Sequence, residues 1–232
     1  MRYITGGFGV LLLILIVVMA QPPNKPPTPA NDNKQTPTDR AGDPRGAATE
    51  GLQSFRALVD DQNFRDLGFE SKDEISSAIL GQPVSVYLVR LDQLREFQPE
   101  ADPNKLITAT TEMIYPVLVK DQARSSITLT QEGGKWVAAG FGGAKLIRQL
   151  AKVRANLGAS EGGPGAPDMF VKVPALNVYF VARPNQAPGG ELTLTPLTDQ
   201  PDYRMKEGGA IPAKEAFSAL VPAARLHDGK TS

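Results

Sequence analysis

The hydrophobic positions of this chain follow a helical period from about Ala48. Leu52 and Phe55 recur at helical spacing with charged residues between them, which predicts a first helix. Ser71 and Glu74 then have the spacing of an N-terminal capping box, in which each side chain accepts from an amide of the first turn. We therefore predict a second, short helix after residue 71.

A strand pattern replaces the helical one from residue 83. Residues 83–90, 113–119, 125–130 and 135–139 are rich in β-branched and aromatic side chains or alternate between polar and apolar. The last three runs lie too close in sequence for parallel crossovers, so we predict an antiparallel meander. Pro116 lies inside one run, which favours an edge strand or a bulge there.

The remaining chain predicts two more helices and two more strands. Leu146, Ile147 and Leu150 lie on one apolar stripe, and we expect Leu150 and Trp136 to belong to one core. The predicted helices cover 144–157 and 213–224, and the predicted strands cover 169–181 and 191–197. Segregated antiparallel strands with flanking helices indicate an α+β fold, which we expect in two layers, as a single domain over 48–226.

The segment before this domain has the pattern of an export signal. Arg2 precedes an apolar stretch that ends at Ala20, where a signal peptidase would cleave, and Gln21 follows. Residues 4–20 alternatively form an uncleaved anchor at the low limit of bilayer-spanning length. Either interpretation predicts an exported protein of the cell envelope or periplasm, anchored to the inner membrane by residues 4–20 in the second case. We expect no other contact with the membrane.

Residues 21–47 are rich in proline and contain no large apolar residue. Proline lacks an amide donor, and the segment has too little apolar surface to offset the entropy of ordering. The sequence therefore predicts a disordered, extended linker between the export segment and the domain. At the other end, the polar residues 227–232 predict a frayed tail.

Composition excludes several classes of chemistry. The chain has no cysteine, which excludes disulfides, thiol catalysis and cysteine-ligated metal clusters. The 25 Lys and Arg residues balance 25 Asp and Glu, which is not typical of a nucleic-acid binder. The one histidine, His227, lies in the predicted tail, where a rigid catalytic triad is not expected. We predict no cofactor and no metal.

A candidate anion or partner contact lies at the start of the helix predicted over 144–157. Gly142 and Gly143 precede this helix, and glycines there allow backbone amides to face an anion. Lys145, Arg148 and Lys152 follow on the helix, which has no acidic residue. The run matches neither the Walker nor the dinucleotide fingerprint. A tight strand-to-helix turn is the simpler interpretation.

Residues 60–74 are conversely acidic. The simplest interpretation is a solvated face of the basic helix together with intramolecular pairing between this segment and the helix. The functional alternative is that the basic helix docks to an anionic envelope polymer or to an envelope protein.

Two hypotheses of function follow. The first is a non-enzymatic binding module on a flexible tether, with an envelope protein or an anionic surface polymer as partner. The second is an exported hydrolase that uses carboxylates, or an unusual Ser/Lys arrangement of Ser125, Ser126 and Lys145. No motif supports the second hypothesis.

Overall fold

The computed structural model describes residues 42–159, 168–184 and 191–229. The predicted export segment and residues 21–41 of the predicted linker lie outside this part of the chain. The α-helices are α1 (Pro44–Leu58), α2 (Leu91–Glu96), α3 (Ala144–Ala159) and α4 (Ala213–Leu226). The strands are β1 (Ile79–Leu80), β2 (Val84–Val89), β3 (Ile107–Val119), β4 (Gln122–Glu132), β5 (Lys135–Gly142), β6 (Met169–Val173), β7 (Val178–Arg183), β8 (Thr193–Pro196) and β9 (Ile211–Pro212). Short 3₁₀ helices cover Lys72–Ser77, Pro103–Leu106, Pro174–Leu176 and Pro201–Tyr203.

The nine strands of the described residues form one sheet in the order β5-β4-β3-β2-β6-β7-β8-β9, with β1 beside β3. Among these strands only β2 and β6 pair in parallel, through Ser85↔Met169 to Leu88↔Lys172. The predicted antiparallel meander is present as β3-β4-β5. The α+β fold with a mainly antiparallel sheet and flanking helices is confirmed.

The sheet consists of two halves, and in each half four strands run outward from the centre in sequence order and are followed by a helix. The first half starts with β2 at the centre, continues outward through β3, β4 and β5, and ends in α3. The second half starts with β6 at the centre, continues through β7, β8 and β9, and ends in α4. The parallel β2–β6 pair is the seam between the halves.

Helices cover both faces of the sheet. Tyr115 and Ile127 form a register pair under α1, whereas the neighbouring Ile114 packs with α3 on the opposite face. In the second half, Val171 packs with α4 and the neighbouring Phe170 packs with α3. Because successive strand residues point to opposite faces, α1 and α4 lie on one face and α3 lies on the other. The sheet is therefore the middle of three layers, and the expected two layers are wrong because helices pack on both faces of the sheet.

The expectation that Trp136 and Leu150 share a core is wrong. Trp136 packs against the cluster around α1, and Leu150 is buried in the cluster around α3 on the other face. The physical reason is that α1, and not α3, covers the β4–β5 hairpin on the side to which Trp136 points. Gly51 of α1 lies close enough for an added Cβ to be 3.2 Å from the side chains of both Ile127 and Ala138.

Pro116 lies in β3, which is a central strand. Its carbonyl oxygen accepts from the Gly81 amide at 2.8 Å, at the point where the chain leaves β1 and has not yet entered β2. The missing N–H of Pro116 points to the same side as this carbonyl, so it faces the gap between β1 and β2. Pro116 therefore cannot return the reciprocal hydrogen bond to the Gly81 carbonyl oxygen, and this loss falls at a residue that belongs to neither β1 nor β2. A register shift between β3 and β4 follows between Val117 and Leu118.

The first helix starts earlier than the sequence predicts, and the second is not capped as predicted. Helix α1 begins at Pro44, before the predicted domain start, because the Asp43 carboxylate accepts from the amides of Arg45 and Gly46. The predicted capping box is wrong, since the Ser71 side chain makes no capping hydrogen bond. Glu74 instead accepts from the amide of Glu70 at 2.7 Å.

The C-terminal end of α4 is held by a side chain from α2. Arg95 donates to the carbonyl oxygen of Ala224 at 2.8 Å and to that of His227. The predicted frayed tail is thus attached at His227, and residues 230–232 lie outside the described chain. None of the helices within residues 42–159, 168–184 and 191–229 is both long enough and apolar enough to cross a bilayer.

Candidate functional site

The turn from β5 into α3 depends on two glycines. Gly142 and Gly143 have φ angles of +116° and +69°, which L side chains rarely adopt. The Ser126 hydroxyl donates to the Gly142 carbonyl oxygen at 2.7 Å and fixes this turn to β4. The Gly143 carbonyl oxygen accepts the first helical bond, from Ile147 at 2.9 Å. The simpler interpretation of the glycines, a tight strand-to-helix turn, agrees with this geometry.

The turns over residues 61–68 pack against the start of α3. A Cβ added to Gly68 would be 2.0 Å from the Arg124 carbonyl oxygen and 2.6 Å from the Ala144 Cβ. This close approach holds Arg65 and Asp66 beside the first turn of α3. Both side chains are exposed, and Arg65 also lies over the ring of Phe64 at 5.1 Å.

The opposite wall comes from the second half of the sheet. Tyr179 lies in β7, with its ring stacked on Phe170 at a centroid distance of 6.0 Å. Asn177 occupies the left-handed turn before β7, with φ +52°. Thr198 and Gln200 follow β8, and the Gln200 amide nitrogen donates to the Thr198 hydroxyl at 3.0 Å. These groups form a polar wall that faces α3.

The two walls and α3 enclose an open groove of about 770 Å³, which we call the basic groove. Its charged lining residues are Arg65, Asp66, Lys145 and Arg148, which give a net charge of +2. Its other polar lining residues are Gln149, Asn177, Tyr179, Thr198 and Gln200. Ligand sites in proteins typically have volumes of roughly 300–1,000 Å³, so the basic groove is large enough for a small molecule or a polymer segment.

The structure brings together some of the predicted contact residues and separates others. Gly143, Lys145 and Arg148 line the basic groove. Gly142 is buried beneath it. Lys152 lies outside the lining and pairs with Glu207 at 2.6 Å, and this hydrogen bond and the charge of Glu207 raise the pKa of Lys152. Lys152 therefore ties α3 to the segment after β8.

The expected pairing between the basic helix and residues 60–74 is wrong. Glu70 and Glu74 pair with Arg124 of β4, at 2.7 and 3.5 Å, and Asp61 pairs with Lys72 at 3.1 Å. Lys145 and Arg148 form no ion pair with any residue in the described part of the chain. Two cations of the groove therefore remain free for an external anion.

The two serines of the hydrolase hypothesis lie on opposite faces. Ser125 is fully buried, and its hydroxyl has no hydrogen-bond partner. Ser126 points toward α3, is 8% exposed, and donates its proton to the Gly142 carbonyl oxygen. A hydroxyl committed in this way would have to break its bond to act as a nucleophile.

A second charged cluster lies at the other end of α3. Asp168 accepts from Arg154 at 2.8 Å and from Arg183 at 2.5 Å. Burial alone would raise the pKa of Asp168, but the two guanidinium hydrogen bonds outweigh it and lower that pKa. The cluster borders a smaller depression of about 300 Å³ with a mostly apolar lining. The two ion pairs of Asp168 connect α3 to β7 and to the start of β6.

The sequence did not predict several residues of the groove, including Arg65, Asp66, Asn177 and Tyr179. The αL position of Asn177 and the turn-rich composition of 60–68 were local signals, but neither indicates proximity to α3. Within the described residues no group of three His, Cys, Asp or Glu side chains is placed to hold a metal ion. No protein-family model, curated protein or solved structure matches this chain.

Proposed function

We propose that the protein is a non-enzymatic binding module of the cell envelope that holds an anionic partner in the basic groove. The observation that carries the proposal is the pair Lys145 and Arg148, which line a groove of about 770 Å³ and have no ion-pair partner in the described chain. Charged side chains without partners on one wall of a groove favour a ligand of opposite charge.

The positive charge of the basic groove is confined to the groove and is not a property of the whole chain. The formal net charge is zero, so the protein as a whole does not attract polyanions. The groove nevertheless has a net charge of +2, and the neighbouring Glu207 is neutralised by Lys152. Fields from such a patch reach about 10 Å at 0.1 M salt, which favours a partner that enters the groove.

The geometry favours a binding module over a Ser/Lys hydrolase. Ser125 is buried on the face of the sheet opposite α3, and the Ser126 proton is donated to a carbonyl oxygen. A serine nucleophile requires a base that accepts its proton, and neither hydroxyl makes a hydrogen bond to a lysine in the described residues.

The proposal is tested by retention of the purified full chain, in a neutral detergent, on immobilised polyphosphate, polyglutamate and polygalacturonate. We expect retention on at least one matrix and elution by salt, because screening weakens the attraction to Lys145 and Arg148. The double variant Lys145→Glu/Arg148→Glu should elute at clearly lower salt. Each exchange replaces a cation by an anion at an exposed position, so the fold should be retained.

The matched control is Lys105→Glu/Lys135→Glu. Both residues are exposed and lie outside the groove, and the double variant has the same net charge as the groove variant. We expect it to elute close to the unmodified chain. Equal losses in the two double variants would show that net charge, and not the groove, determines binding. Absence of retention on all three matrices would refute the proposal.

The location of the module is a separate part of the proposal. We propose that residues 1–20 direct export and that residues 21–43 tether the domain, on the strength of the sequence pattern alone. Expressed in a bacterium, the full chain should fractionate with the envelope or periplasm, and a chain without residues 1–20 should remain in the cytoplasm. An N-terminus at Gln21 would identify a cleaved signal, and an intact N-terminus would identify an anchor.

A further inference from the structure

We infer that the ligand of the basic groove is an acidic saccharide, that is, a chain of sugar rings bearing carboxylate or phosphate groups. This inference rests on the proposed function and names the chemical class of its ligand. It follows from the three kinds of side chain that line the groove: cations on one side, an aromatic ring, and neutral amides and hydroxyls with one carboxylate.

Tyr179 supplies a flat apolar surface within an otherwise polar groove. Its ring is partly exposed and is held at an interplanar angle of 17° on the buried ring of Phe170. A ring fixed in this way loses little conformational entropy on binding, and its face can cover the apolar C–H face of a sugar ring. A simple inorganic or peptide polyanion does not need such a surface.

Asp66 argues against a ligand made only of negative charges. Its carboxylate lines the groove and has no ion pair or side-chain hydrogen bond in the described residues. It would repel each phosphate of a polyphosphate chain, whereas a sugar hydroxyl can donate to it in a charge-assisted hydrogen bond. The groove therefore contains one acceptor that suits hydroxyl groups and disfavours bare anions.

The amides of the groove suit the same ligand. The side chains of Gln149 and Asn177 make no hydrogen bond within the described residues, and each offers both donors and an acceptor. Sugar hydroxyls also donate and accept, so amides pair with them in either direction. Lys145 and Arg148 would then bind the acidic substituent of the sugar, Arg148 through a bidentate contact that its planar guanidinium allows.

The test measures, by calorimetry on the full chain, the affinity for three probes. They are a trimer of galacturonic acid, the methyl ester of the same trimer, and tripolyphosphate. The ester retains the rings and loses the charge, whereas tripolyphosphate retains charge and has no ring. We expect the acidic trimer to bind about tenfold more tightly than either of the others, because only the trimer uses both kinds of contact.

Two variants separate the contacts. Asp66→Asn should weaken binding of the acidic trimer several-fold and strengthen binding of tripolyphosphate, because the substitution removes the negative charge and replaces one of the two acceptor oxygens by an NH2 donor, which leaves a neutral and weaker acceptor. Tyr179→Leu should weaken the acidic trimer about tenfold and leave tripolyphosphate unchanged, since the apolar replacement keeps the contact with Phe170. Tyr87→Leu, in β2 and outside the groove lining, is the matched control and should change neither affinity.

Asp66 is exposed, so its variant is expected to fold even if Tyr179→Leu does not. Tripolyphosphate binding as tightly as the acidic trimer, in a manner that depends on Lys145 and Arg148, would overturn the saccharide inference and leave the proposed function standing. Asp66→Asn strengthening both anions would overturn it in the same way. Failure of all three probes to bind, together with no retention on the polyanion matrices, would overturn both.

Discussion

Gly68 lets the turns over residues 61–68 contact β4 and α3 at once. It has a φ angle of +100°, and an added Cβ would meet the Arg124 carbonyl oxygen at 2.0 Å and the Ala144 Cβ at 2.6 Å. Real Cβ atoms do not approach other atoms this closely, and the oxygen belongs to the backbone of a paired strand. Gly68→Ala must therefore displace either the turn or α3.

The expected cost has two parts. Holding a non-glycine residue at this φ angle costs about 1–3 kcal/mol. Inserting a methyl group into a packed region adds about 1–3 kcal/mol, because neighbouring atoms must shift. We expect Gly68→Ala to lower the free energy of unfolding by about 2–6 kcal/mol in total. Domains of this kind have a stability of about 5–15 kcal/mol, so the loss is a large share.

Urea unfolding of the full chain, followed by the fluorescence of its one tryptophan, Trp136, measures this loss. The matched control is Gly134→Ala, because Gly134 has φ +80° and an added Cβ there would meet nothing within 4 Å. The control retains the backbone strain and omits the clash, so it should cost about 1–3 kcal/mol and less than Gly68→Ala. Equal losses for the two variants would refute the argument that a close approach, and not strain alone, requires glycine at position 68.

Two further stability predictions follow from charge and packing. Asp168 has a lowered pKa in the folded chain, so its stabilisation is complete above the ordinary aspartate pKa of about 4 and is lost as pH falls through the lower folded-state value. Asp168→Asn should therefore lower the urea midpoint more at pH 7 than at pH 3, and an equal loss at both pH values would contradict the ion-pair argument. Leu129→Ala and Leu150→Ala should each cost about 2–5 kcal/mol, and their costs should add within about 0.5 kcal/mol because the two side chains lie on opposite faces of the sheet. A coupling energy of 1 kcal/mol or more, measured by a double-mutant cycle, would show that the two cores are not separate.

Local patterns sufficed for most of the elements. The helical stripe of Leu146, Ile147 and Leu150 predicted α3 within two residues at its end, and the β-branched runs located β2 to β5. These signals are reliable because they depend only on the period of side chains that one element buries. The α+β class follows from the order of such elements.

The face of the sheet to which each strand side chain points could not be predicted in the same way. A bulge between Val117 and Leu118 and another between Thr128 and Leu129 each shift the pairing by one residue. One such shift exchanges the face to which the following side chains point, so alternation in the sequence does not carry across it. The pattern of side chains alone therefore could not exclude a shared core of Trp136 and Leu150 or a two-layer arrangement.

The basic groove was predictable on one wall only. Lys145 and Arg148 were indicated by a helix that has no acidic residue, which is a local property. Tyr179 and Asn177 reach the groove because β6 pairs with β2 and carries β7 toward α3. The residue types of β2 and β6 do not indicate that these two strands, which are distant in sequence, pair in parallel.

The seam between β2 and β6 has a consequence for the order of folding. The meanders β3-β4-β5 and β6-β7 pair neighbours in sequence, whereas Ser85 must find Met169 across the whole intervening chain. Loop-closure entropy makes such a contact slow, so we expect each half to acquire structure first and the seam to close last. At high concentration, β6 of one molecule then competes for β2 of another, which is the route to domain-swapped dimers. Pulse-labelled hydrogen exchange during refolding should show the amides of Ser85 and Tyr87, which face β6, protected after those of β4, and simultaneous protection would contradict this order.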